Sequence, residues 1–81
     1  MRVLAEIPHS HFKIQIFNWN AKYLVKIEID KYEQTFKIPE SDVSGLEDVK
    51  SLLTEGFLKG VMNRMISMRS DWNDALKNQL S

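Results

Sequence analysis

The stretch from residue 11 to residue 38, HFKIQIFNWNAKYLVKIEIDKYEQTFKI, alternates apolar and polar side chains through three short runs. Alternation of period two marks strands with one buried and one wet face. The breaks at Asn20-Ala21 and Asp30-Lys31 are too short for a crossover helix, so the runs form an antiparallel meander, with strands near 11–18, 22–30 and 32–38. Phe12, Ile14, Ile16, Tyr23, Val25, Ile27, Ile29, Tyr32, Phe36 and Ile38 then share one face.

Charges on the wet face set the register of the first hairpin. With Asn20 and Ala21 as its loop, Ile16 faces Val25, Ile14 faces Ile27 and Phe12 faces Ile29. Lys13 then meets Glu28 and His11 meets Asp30, both favourable pairs. A slip of two residues sets Lys13 against Lys26, and a slip of one turns the apolar set outward. In the second hairpin a loop at Asp30-Lys31 sets Glu28 against Glu33, without the glycine that tight turns prefer, so its register stays open.

Ahead of the meander, VLAEI alternates weakly before Pro8, so residues 1–10 are an edge strand or an ordered arm. Behind it, Pro39 ends the third strand, and the turn-rich PESDVSG (39–45) supplies a linker over 39–44. Ser44-Gly45-Leu46-Glu47 fits a capping box with Ser44 as N-cap and Glu47 reaching back, opening a short helix over 45–54. Gly56 and Gly60 are where a stop or bend is expected, each costing about 1 kcal/mol inside a helix. A long helix over 57–79 follows. Its stripe of Leu58, Val61, Met62, Met65, Met68, Trp72, Leu76 and Leu80 lies opposite a small polar face of Gly60, Asn63, Ser67, Ser70 and Asp74.

The fold class is therefore α+β: a three-stranded antiparallel β-meander, then a short and a long helix packed on one sheet face. The chain forms a single domain over 1–81. The stripe of Leu58, Val61, Met65 and Trp72 is expected on the face made by Ile14, Ile16, Val25 and Ile27. About 36 Å of helix exceeds strands of about 26 Å, so part of the stripe must be covered by the short helix, the N-terminal arm or a second copy.

Global composition narrows the functional classes. A chain of 81 residues buries only about 60–65% of its unfolded surface and gains from association. It has no cysteine, which excludes disulfides and thiolate metal sites and fits a reducing compartment. Eleven basic residues balance eleven acidic ones, arguing against attraction of the whole domain to nucleic acid or anionic lipid. No signal peptide or membrane span is read, and the cytoplasm is the expected location.

Three groups of residues are candidates for function. Phe17, Trp19 and Leu24 break the polar alternation of the wet face, with Lys22, Lys26 and Lys37 around them. Rings beside lysines on an open sheet suit single-stranded nucleic acid. Packing under the short helix or against another subunit is the plainer reading, favoured by zero net charge and the lack of arginine there. His9 and His11 sit at a spacing that can hold a metal, but no third ligand can be placed, and a surface His–Asp pair is the commoner arrangement. Met62, Met65 and Met68 suit an adaptable partner surface, although methionines on an apolar stripe more often belong to the core. No nucleophile elbow or phosphate-holding glycine loop is present.

The segments HSHFKIQIFNWNAKYLVKIE and YEQTFKIPE together resemble short uncharacterised bacterial proteins, a domain of unknown function built as a three-stranded meander followed by helix. The resemblance implies that fold and a dimer, and brings no activity or site residue with it. The expected function is a small non-enzymatic interaction or structural module, homodimeric through Met65, Met68, Trp72, Leu76 and Leu80. A further protein partner fits the same surface. The alternative is single-stranded nucleic-acid binding through Phe17, Trp19, Lys22, Leu24 and Lys26. No catalytic residue, metal site, cofactor or membrane association is expected.

Overall fold

Two consecutive left-handed residues set the central hairpin. The computed structural model describes residues 2–80, with side chains through residue 79. In it Asn20 (φ 52°) and Ala21 (φ 58°) form the two-residue turn whose twist matches right-twisted strands. Strand β2 (Lys13–Trp19) thereby pairs with β3 (Lys22–Ile29), Ile14 opposite Ile27 and Ile16 opposite Val25, with Lys13 opposite Glu28. This is the register that charge pairing on the wet face predicts. The ladder stops at that last pair, so His11 does not meet Asp30. The His11 backbone N–H instead donates to His9 Nδ1 at 3.1 Å.

The next hairpin turns at Asp30-Lys31 with Asp30 left-handed (φ 56°), and β4 (Tyr32–Pro39) returns with Glu33 opposite Glu28. Two carboxylates directly opposite one another repel. Lys26 relieves them: its Nζ lies 3.8 Å from Glu28 and 3.7 Å from Glu33.

The sheet has four strands, not three. Arg2–Ile7 forms β1, antiparallel to β2 at the sheet edge, in the order β1-β2-β3-β4. Its register slips at Leu4, since Val3 faces Phe17 while Ala5 faces Ile16. One extra residue in a strand is a β-bulge, and it switches which face the following side chains occupy.

Beyond β4, a 3-10 turn over Glu40–Asp42 is tied back to the central hairpin, Glu40 N–H donating to the Ala21 carbonyl at 3.0 Å. Helix α1 (Leu46–Ser51) starts one residue later than a Ser44 cap would place it, with Gly45 as N-cap and no side-chain cap bond. Asp48, not Glu47, reaches back, accepting the Ser44 N–H at 2.8 Å; Glu47 pairs instead with Lys50 at 3.4 Å. Helix α2 (Glu55–Leu80) is capped by Thr54, whose Oγ1 accepts the Phe57 N–H at 3.2 Å. The break between the helices therefore precedes both Gly56 and Gly60, which lie within α2.

Both helices cover the same sheet face. Phe12, Ile14, Ile16, Val25 and Ile27 from the sheet, Val49 from α1, and Leu58, Val61 and Met65 from α2 form one buried cluster. Trp72 is not part of it.

Candidate interaction surfaces

Most of the exposed large apolar side chains among the described residues fall on the distal half of α2 and on the sheet face that the helices do not touch. The first follows from length. Twenty-six helical residues run about 39 Å, well past strands of seven or eight residues. The molecule is accordingly 50 Å long and 26 Å across.

The last anchor of α2 on the sheet is built around Gln34, which the alternation of β4 places between Tyr32 and Phe36 on the inner face. Gln34 Nε2 donates to the Val61 carbonyl at 3.0 Å, and Gln34 Oε1 accepts from Arg64 Nε at 3.0 Å. The same Nε2 lies 3.9 Å from the Met68 sulfur. Every residue from Arg69 to Gln79 is exposed.

Of the expected interface residues, the structure divides the set. Met65 is buried in the protein's own core, so it is not an interface residue; it sits over the sheet because α2 leaves the sheet only one turn later. Met68 is half-buried at the boundary. Trp72 is 51% exposed and Leu76 39% exposed, both on the stripe that buries Leu58, Val61 and Met65. The side chain of Leu80 lies outside the described residues. Ile66, 60% exposed beside this stripe, belongs to the same surface and is missing from the expected set. Where the helix departs, a cleft bounded by Lys31, Tyr32, Met68, Asp71 and Trp72 opens between α2 and the β3–β4 turn.

The second surface is ordered by strand register. Trp19 faces Lys22, and Lys22 faces Pro39. One rung inward, Val3, Phe17, Leu24 and Lys37 lie side by side across all four strands. Neither helix covers this face, because Val49, Leu58 and Val61 all pack on the other one. Packing under the short helix, the first of the two plainer sequence readings of Phe17, Trp19 and Leu24, therefore does not occur; packing against another subunit is the second. Leu24 is nonetheless only 5% exposed, Phe17 is half-buried, and Trp19 is 47% exposed. Leu24 is walled in by neighbours on its own face, with Phe17 across from it, Lys37 on the other side, and Lys22 and Lys26 two residues along. Long lysine stems shield apolar surface in this way while their ammonium groups stay in water.

The two histidines lie close together without a third ligand among the described residues. His9 packs its ring on Phe12 (centroids 5.0 Å apart) and lies 5.8 Å from the His11 ring, with Nδ1 already taken by the His11 N–H. Glu55 lines the same ≈ 550 Å³ cleft, but no three His, Cys, Asp or Glu side chains among the described residues lie close enough to hold an ion. None of the described helices is long and apolar enough to cross a membrane.

No family model, curated protein or solved structure matches the chain. What the two surfaces do is therefore a question of their own chemistry.

Proposed function

We propose that the protein is a small non-enzymatic interaction module that works as a homodimer, joined through the distal half of α2. One observation carries this reading: the apolar stripe that seals the core at Leu58, Val61 and Met65 continues past the end of the sheet, where Trp72 and Leu76 face water. Burying apolar surface is worth about 25 cal/mol per Å², so a stripe of this kind gains from a second apolar surface.

Three physical arguments support a second copy as that surface. Residues 69–79 amount to about three turns, every one of them exposed, and isolated helices of that length are marginal in water. The overhang carries Arg69, Asp71, Asp74 and Lys77, two charges of each sign, so two copies meet without net repulsion. A two-fold contact also uses one patch twice, which a single exposed stripe satisfies.

Dilution tests the reading. A dimer has twice the monomer mass in light scattering, and its melting temperature falls as protein concentration falls. Replacing Leu76 with Glu should halve the mass and leave the fold intact. A wild-type monomer at high micromolar concentration, melting at the same temperature on dilution, contradicts the proposal.

A further inference from the structure

We propose that the uncovered sheet face binds single-stranded nucleic acid, with Trp19 and Phe17 as base-stacking rings and Lys22 and Lys37 as the phosphate contacts. The inference is independent of the dimer reading, since it concerns the opposite side of the sheet and none of the α2 residues.

The distribution of charge separates the two ends of this face. At one end Lys26 is engaged by both Glu28 and Glu33, at 3.8 and 3.7 Å, so its charge is neutralised there. At the other end stand Trp19, Lys22, Phe17, Leu24 and Lys37, and no ion pair among the described residues involves Lys22 or Lys37. The acids nearest in the fold, Glu6 and Glu40, accept from the neutral amides of Gln15 (3.0 Å) and Asn18 and keep their charge, but neither forms an ion pair with Lys22 or Lys37. Two ammonium groups without an ion pair among the described residues thus flank two rings on this face.

Geometry suits bases better than a protein surface. Phe17 and Trp19 are two residues apart on one strand, so their side chains leave the same face from backbone positions about 7 Å apart. Leu24 is sealed beneath them, which makes the platform firm before any ligand arrives. Stacking on such rings tolerates any base, and phosphates meet the lysines at the margin. A second copy stacked with its two-fold axis through the rings is disfavoured, because that contact gathers Lys22 and Lys37 of both copies around the axis. Of the three lysines that the sequence places around the rings, Lys26 is engaged by Glu28 and Glu33, and Lys22 and Lys37 remain.

Anisotropy of a fluorescein-labelled ten-nucleotide oligothymidylate, with oligouridylate alongside, tests this at about 20 mM salt. For two phosphate contacts on a single strand the salt slope is about −1.4, so affinity should fall about 25-fold between 20 and 200 mM. Trp19→Ala should weaken binding by about 5- to 150-fold. Lys22→Ala with Lys37→Ala should flatten the salt slope, whereas Lys26→Ala should not. In a Trp72→Phe background, the fluorescence of Trp19 should quench as the strand binds. Circular dichroism of each variant checks that the fold is kept, which the exposure of these side chains leads us to expect. Absence of binding at low salt overturns the proposal, as does binding indifferent to Trp19→Ala in folded protein. Shielding of Trp19 that grows with protein concentration alone also overturns it, assigning the face to a second copy instead.

Discussion

Gln34 on β4 and Val61 on α2 are joined by a hydrogen bond of 3.0 Å from a side-chain amide to a helix carbonyl, the point at which the long helix is pinned to the sheet. The same amide accepts from Arg64 at 3.0 Å, so one polar side chain in an otherwise apolar face serves both. Gln34→Ala removes both bonds. At about 1 kcal/mol for each, the loss should be about 1–3 kcal/mol in chemical denaturation. Arg64→Ala removes only the outer, exposed bond and should cost less than half as much.

Ala21 occupies the second left-handed position of the β2–β3 turn, φ 58°, where glycine is the favoured residue. Its Cβ makes that conformation cost roughly 1–2 kcal/mol, part of which glycine returns through the greater freedom of its unfolded chain. Ala21→Gly should therefore stabilise the protein by about 0.5–1 kcal/mol, read as a rise in melting temperature of a few degrees. A lower melting temperature would show that the turn is not under this strain.

The Tyr32 hydroxyl is buried without a hydrogen-bond partner among the described residues. An orphaned buried donor costs about 1–3 kcal/mol, while the ring itself packs against the core. Tyr32→Phe keeps the ring and removes the orphan. We expect the variant to be at least as stable as the parent, by up to about 1 kcal/mol in urea denaturation. A clear destabilisation would mean that the hydroxyl has a partner after all.

How much of this was legible in the sequence depended on whether side chains kept their period. In the β2–β3 hairpin the inner face keeps its apolar period throughout, and Lys13 with Glu28 fixes the register from the wet face, although Phe17, Trp19 and Leu24 interrupt that face's polar residues. In β1 the bulge at Leu4 breaks the period, so VLAEI reads as weak alternation although it is a paired strand. The α1 cap was misplaced by one residue because Glu47 and Asp48 are adjacent acids, and only geometry shows that Asp48 turns back to Ser44. The break before α2 was sought at its glycines, while Thr54 carried the cap in plain sight. The overhang was legible from lengths, but not its starting point. That point depends on Met65 lying within the core and on Gln34 holding the helix at Val61. On the open sheet face the rings were evident, whereas the removal of Lys26 from the free cations required the positions of Glu28 and Glu33.

Hydrogen exchange of the α2 amides at two protein concentrations tests the central claim most directly. Without a partner, residues 69–79 form an unpacked helical extension that opens easily and exchanges quickly. With a second copy against Trp72 and Leu76, their protection should rise with concentration by the same factor as the dimer population. Amides of β2 and β3 supply the internal reference for global opening, which separates a local effect at the overhang from stabilisation of the whole fold. The account predicts a selective gain of protection over 69–79 as concentration is raised from low to high micromolar. Fast exchange over 69–79 at every concentration would contradict it.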